Sequence, residues 1–350
     1  MARSLRGVAR SLPPIRWRDE RIAALERRVA ELEAEDVRLR RAVHAGRRTA
    51  RTQRARLEDA GAEIGELRAD LADVFGSYPR ASFHRMLCWE RRLTVRGLSG
   101  TPDDAPAGLT HKLAAQELVR SLGVRTPQVY RRWESLDEVD LTGLPDELVL
   151  KSVGGASSRG VLPLRREGTG FALLGTDDVL TPEGVRERFA RYAERDVVPP
   201  FFAEERITGV TGDALPVDIK VYAFHGEIGQ ILLRRVGRHG VGKTVTTRYV
   251  TATGEDLGPV STTRPYDETI PVPRDLEGVV ETARVLSTAV RLPFVRIDLF
   301  ESPDGIVFGE FTPRPGGPQK YERAHDERMG LLWEDALVRL RAAPRTRGRG

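Results

Sequence analysis

The chain has 350 residues, 40% of them apolar and 31% charged, and a net charge of +5. That is apolar content enough for a substantial core, yet no run approaches the roughly 20 apolar residues that a bilayer-spanning helix requires. Cys88 is the single cysteine, which excludes an intrachain disulfide and a cysteine-based zinc site, and with no apolar stretch behind Arg3 and Arg6 a cytoplasmic chain without a signal peptide is expected.

Residues 1–96 carry 22 arginines against 14 acids, a net +8, so the remainder sums to −3. A solvated helix in an arginine-biased chain accounts for this excess, and no nucleic-acid partner is expected. Residues 1–19 form a basic segment. From Ile22 a seven-residue register follows, with Ile22, Val29, Asp36, Val43, Ala50, Leu57, Ile64 and Leu71 at position a. Leu25, Leu32, Leu39, Gly46, Gln53, Ala60, Leu67 and Val74 stand at d. Thirteen of these sixteen are apolar, so residues 20–76 read as a coiled coil. The flanking pairs Arg28/Glu33, Glu35/Arg40 and Glu63/Arg68 favour a parallel partner and a homodimer. A trimer, or a fold-back near His44-Ala45-Gly46, stays open.

Gly76-Ser77-Tyr78-Pro79 ends the helix, and a connecting region with a turn-rich patch from Gly97 to Gly108 follows. Thr110 caps an amphipathic helix that Gly123 stops. Strands are expected from Gln128 to Trp133 and from Glu147 to Lys151. Thr181-Pro182-Glu183 opens a helix running to about Arg195. A strand from Phe201 to Ile207 comes next, then Val217–Phe224 and Glu227–Val236 joined at His225-Gly226. A helix from Leu276 to Arg291 precedes a second hairpin, Phe294–Phe300 and Ile306–Thr312, and residues 331–341 form a last helix. Mixed helices and hairpins make the region 80–341 an α+β domain, with 342–350 a basic, disordered tail.

Fifty-one arginines stand against five lysines. A retained lysine therefore marks a need for a compact point charge, as at phosphate sites. Lys151 ends the apolar run Leu148-Val149-Leu150 and opens a loop holding Gly154, Gly155, Ser157 and Ser158, suited to wrapping backbone N–H groups around phosphate oxygens. In the second hairpin Arg296 and Asp298 alternate with Val295, Ile297 and Leu299, so they share a face. Pairing Phe300 with Ile306 sets Phe308, Glu310 and Thr312 on one face, with Asp298 and Glu310 diagonal and within reach of one hard cation. Oxygen donors of this kind suit Mg²⁺ or Mn²⁺ shared with substrate phosphates. A plain Arg–Glu cross-strand ion pair is the alternative.

The order Lys112, Lys151 with its loop, Glu204-Glu205-Arg206-Ile207, Asp218-Ile219-Lys220, Arg296-Ile297-Asp298 and Gly309-Glu310-Phe311-Thr312-Pro313 resembles the ATP-grasp superfamily. Within it the chain is most similar to the teichuronopeptide-biosynthesis (TupA-like) branch, over about residues 83–335. The resemblance implies two α+β subdomains clasping ATP, a lid of about 145–205 and a metal-binding part of about 206–335. It implies that Lys112 and Lys151 contact the phosphates under a lid of residues 154–158. Glu204 would accept from the adenine amino group, and the backbone from Glu205 to Ile207 would read the ring edge. Asp218 and Lys220 would lie near the ribose and γ-phosphate. Asp298 and Glu310 would hold Mg²⁺ with Thr312 alongside, and Arg296 or Arg234 would steady the transferred phosphoryl group. Thr312 stands where many superfamily members have asparagine, and His111 where the branch often has an acid. The implied activity is ATP-dependent joining of a small-molecule carboxylate to an amine through an acyl phosphate, in surface-polymer biosynthesis.

Two other readings compete. Gly237-Arg238-His239-Gly240-Val241-Gly242-Lys243-Thr244 fits the phosphate-loop pattern, but that motif needs a helix directly after it and Val245–Thr251 alternates like a strand. The chain could also be a coiled-coil scaffold carrying a degenerate nucleotide fold.

Overall fold

The computed structural model describes residues 13–76, 80–97, 108–155, 159–192, 197–261, 263–316 and 319–342. The chain divides into two compact units, Met1–Arg80 and Ala81–Gly350. Among its described residues the first holds one helix, α1 (Pro13–Gly76), continuous through Gly46, so the fold-back does not occur. The tail 343–350 and residues 77–79 lie outside the described residues.

The second unit holds two antiparallel sheets. Sheet 1 contains β1 (Val129–Trp133), β2 (Glu147–Ser152), β3 (Val161–Glu167), β4 (Gly170–Leu173), β5 (Val179–Leu180) and β6 (Phe201–Glu205), in the order β1-β6-β2-β3-β4-β5. One face is apolar: Leu148, Leu150, Leu164, Phe171 and Ala203 pack with Val185 and Phe189 of α4 (Pro182–Ala190). Thr181 caps α4 through its side chain and Pro182 occupies the first turn, as the sequence signal requires; α4 ends at Ala190, short of Arg195.

Sheet 2 runs in the order β11-β10-β7-β8-β9, built from β7 (Asp218–Phe224), β8 (Glu227–Val236), β9 (Val245–Val250), β10 (Val295–Ser302) and β11 (Gly305–Thr312). Strand alternation on β7 explains its two faces. Ile219, Val221 and Ala223 join a core with α5 (Leu276–Ala289) and with Ala115 and Val119 of α3 (Lys112–Ser121). The other face changes character along the strand: Asp218 and Lys220 are charged, while Tyr222 and Phe224 enter an aromatic cluster with Phe83, Phe294 and Trp333. Two helices cover that aromatic half, α2 (Phe83–Val95) and α6 (Arg323–Ala342). Among the described residues no helix caps the charged half, which holds the candidate site residues Asp218 and Lys220.

Further sequence expectations change. Helix α2 occupies the expected connecting region. Strands β3 and β4 were not foreseen. His111 rather than Thr110 caps α3, its ring accepting from Ala114 N at 3.3 Å. The last helix begins at Arg323, not residue 331. No helix among the described residues is long and apolar enough to cross a membrane.

Candidate functional site

On sheet 1, Val149 pairs with Glu204 and Lys151 with Phe202, so Lys151 and Glu204 are diagonal neighbours on the face away from the core. The Lys151 ammonium meets the Glu204 carboxylate, and Gln116 Nε2 donates to the other Glu204 oxygen at 2.8 Å. Glu204 is only 1% exposed. Its carboxylate accepts from a lysine and an amide, and so holds Lys151 in place. Gln116 was missed in the sequence. The signal was a polar residue four positions after Lys112, on the same face of α3.

Lys112 opens α3 and reaches across to the loop after β2, donating to Val153 O at 3.1 Å and Gly154 O at 2.6 Å. Burial brings its pKa down from the usual lysine value to about 8; Glu310 and Glu204 pull upward and Lys151 downward. Those three neighbours come from different elements, β11, β6 and β2, so Lys112 stands where the two sheets approach. The loop it touches depends on glycine: Gly155 has φ +83°, and a Cβ there would run into the carbonyl of Arg159. Ser157 and Ser158 lie outside the described residues.

Glu205 is held by the segment that leads into β1. Glu205 bonds Arg125 Nη2 at 2.6 Å and accepts from Gln128 N at 3.1 Å. Ile207 is buried.

Sheet 2 carries a row of alternating charge. Arg234 Nη1 lies 2.5 Å from Asp218, and Asp218 lies 3.5 Å from the Lys220 ammonium. Lys220 meets Asp298. Arg296 clamps Asp298 with two parallel bonds of 2.6 and 2.8 Å, donates to Thr312 Oγ1 at 2.9 Å and lies 3.7 Å from Glu310. Burial alone would push the Asp298 carboxyl upward; Arg296 and Lys220 outweigh it and hold the pKa at about 2. Burial likewise works against the Arg296 charge, but Asp298 overcomes it and the guanidinium is raised above its usual value.

The register of this hairpin differs from the expected one. Ser302 pairs with Gly305 across a two-residue turn, Leu299 with Phe308, and Asp298 with Glu310, with one extra residue on β11 between the last two. Gly309 forms that bulge, where an added Cβ would sit 3.0 Å from the Asp298 carbonyl oxygen and from Phe300. Phe308 therefore joins the core face, while Asp298 and Glu310 stand directly opposite instead of diagonal. The charges form both a carboxylate pair and the alternative Arg–Glu contact.

As a cation site the donors fit in kind: two carboxylates side by side and a hydroxyl, all hard oxygen, with the Glu310 side chain 44% exposed. Asp298 already serves Arg296 and Lys220, so those cations must yield an oxygen to a metal. No group of three or more potential metal-binding side chains occurs among the described residues.

The phosphate-loop reading fails on context. Gly237 N donates to Thr244 O at 3.0 Å, Gly242–Thr244 is a single tight turn, and β9 follows directly. The segment is a hairpin loop between β8 and β9, without the helix whose N-terminus would hold phosphates.

Two antiparallel sheets, with Lys151 on one and Lys220 beside paired carboxylates on the other, are the architecture of the ATP-grasp class of ligase. The TupA-like ATP-grasp family model matches residues 92–333, and the chain belongs to that family. Among solved structures, it is similar to the D-alanine–D-alanine ligase from Bacillus anthracis complexed with ATP, at 16% identity over 76% of this chain and 78% of that one, TM-score 0.43. The L-amino acid ligase from Bacillus licheniformis gives 16% over 76% and 58%, TM-score 0.41. The ATP-grasp ligase PsnB complexed with minimal precursor gives 16% over 72% and 69%, TM-score 0.39. No curated protein matches.

Proposed function

We propose that this ATP-grasp enzyme joins a small-molecule carboxylate to an amine in two steps. The supporting observation is Lys112, which feels Lys151 and Glu204 from one sheet and Glu310 from the other. A triphosphate along that line meets cations from both sheets and the Asp298–Glu310 pair.

In the first step a carboxylate oxygen attacks the γ-phosphorus, the bond to the β,γ-bridging oxygen breaks, and ADP leaves. In the second the amine nitrogen attacks the acyl carbon, inorganic phosphate departs with the bonding pair, and the nitrogen loses a proton as the amide forms. Lys112 and Lys151 hold phosphate oxygens, Lys151 being aimed by Glu204. Lys220, Arg296 and Arg234, ordered by Asp298 and Asp218, oppose the charge on the transferring group. Asp298 and Glu310, with Thr312 alongside, would hold Mg²⁺ or Mn²⁺, which supplies charge neutralisation at the phosphates. The backbone from Glu205 to Ile207 reads the adenine edge, and the loop through Gly155 closes over the phosphates to keep water from the acyl phosphate. Residues 145–205 act as the lid subdomain and 206–335 as the metal-binding one. The chain works in the cytoplasm on surface-polymer precursors, as a homodimer joined through residues 20–76.

Hydroxylamine tests the acyl phosphate. Supplied as the amine with ATP and a panel of amino and sugar acids, it is expected to yield a hydroxamate together with ADP. ADP release with no hydroxamate from any acid overturns the reading. Lys151→Ala is expected to lower kcat/KM for ATP on the order of 100-fold, whereas Lys243→Ala leaves it unchanged.

A further inference from the structure

The apolar line of α1 is exposed along its described residues. Ile22, Leu25, Val29, Leu32, Leu39 and Val43 are each 46–57% exposed, and Leu57, Ile64 and Leu67 continue the line at 50–73%. A helix of 64 residues extends roughly 96 Å, and burial of an apolar face is what normally supports such a length. A second copy of the same helix is the occupant whose charges match.

The seam decides how that copy lies. A parallel pairing in register stacks each position on itself: Asp36 meets the partner's Asp36 and Gln53 the partner's Gln53. An antiparallel pairing brings a against d. One register is selected by the three non-apolar seam residues. With the two-fold axis between His44 and Ala45, Asp36 faces the partner's Gln53, and Val43 fills the space over the partner's Gly46, where an added Cβ meets nothing in the single chain. Every other layer is then apolar on apolar: Ile22 with the partner's Leu67, Leu25 with the partner's Ile64, Leu32 with the partner's Leu57. Flanking charges agree. Arg28 comes beside the partner's Glu63, Glu35 beside the partner's Arg56 and Glu33 beside the partner's Arg54. The unfavourable neighbours are Arg40 and the partner's Arg47. Charge pairing alone also suits the parallel arrangement (Arg28 with the partner's Glu33, Glu35 with the partner's Arg40). The buried like-charged Asp36 pair counts against it.

We infer that residues 20–69 form an antiparallel two-stranded coiled coil centred between His44 and Ala45, with Asp36 opposite the partner's Gln53. This rests on the homodimer reading and adds orientation and register. Contacts are reciprocal about the two-fold axis, so residue 76 of one copy lies roughly 95 Å from that of the other.

Single cysteines in a Cys88→Ser background test it in the full chain. Leu32→Cys and Leu57→Cys are oxidised separately and after co-expression with different tags, with mass read by light scattering. The expected result is a dimer in every case and a disulfide only between the two co-expressed variants. A Leu32→Cys disulfide with itself, or a dimer with no disulfide in any sample, overturns the orientation while the homodimer stands. A monomer or trimer overturns both.

Discussion

Lys112 is where charge and conformation meet most directly. Its pKa is depressed to about 8 by burial, so the folded chain binds its proton less tightly than the unfolded chain does. Stability therefore rises as pH climbs from about 8 towards the ordinary lysine range. Phosphate binding responds in the opposite sense, because only the ammonium attracts phosphate. Between pH 7 and 9, kcat/KM for ATP is expected to fall about tenfold as the free enzyme loses this charge, and Lys112→Arg to flatten the profile. A wild-type profile that does not change across that window contradicts the role. Gly155 is the second sensitive residue. Gly155→Ala puts a side chain at φ +83° and against the Arg159 carbonyl, a strain of roughly 1–3 kcal/mol. It is expected to raise KM for ATP and to lower Tm by a few degrees, since the loop packs against buried Val197.

At the scale of elements, legibility followed local pattern. The His225-Gly226 turn, the Thr181-Pro182 helix start and both strands of the β10–β11 hairpin carry period-two or capping signals that need no tertiary knowledge. The register did not, because a bulge at Gly309 is set by backbone packing and a single extra residue reassigns Phe308 to the core. Strand β3 was hidden by Pro163, which has no N–H to give a ladder yet lies in an internal strand opposite Val149. The first turn of α6 was hidden by polarity: His325 and Asp326 look solvated in the sequence but are buried, bonded to Gln230 at 2.7 Å and to Ser82 at 2.6 Å. Asp326 also accepts from His84 N at 2.9 Å, tying α6 to the start of α2. Asp326→Ala strands both donors, and urea unfolding is expected to show a loss of about 1–3 kcal/mol. A change within a few tenths of wild type rejects that tie as structural.

For the molecule as a whole, the family was legible from the order of short motifs, whereas the way two sheets combine their charges was not. Lys151 and Glu310 are far apart in sequence and on different sheets, and Lys112 of α3 feels both. In the proposed function both sheets grip one triphosphate. A double-mutant cycle on Mg-ATP affinity, measured by titration calorimetry with Lys151→Ala, Glu310→Gln and the pair, tests it most directly. Groups sharing one ligand are coupled, so the double variant is expected to lose less affinity than the two single losses added, by roughly 0.5–3 kcal/mol. Strict additivity, or a Glu310→Gln variant that binds Mg-ATP as tightly as wild type, would contradict the account.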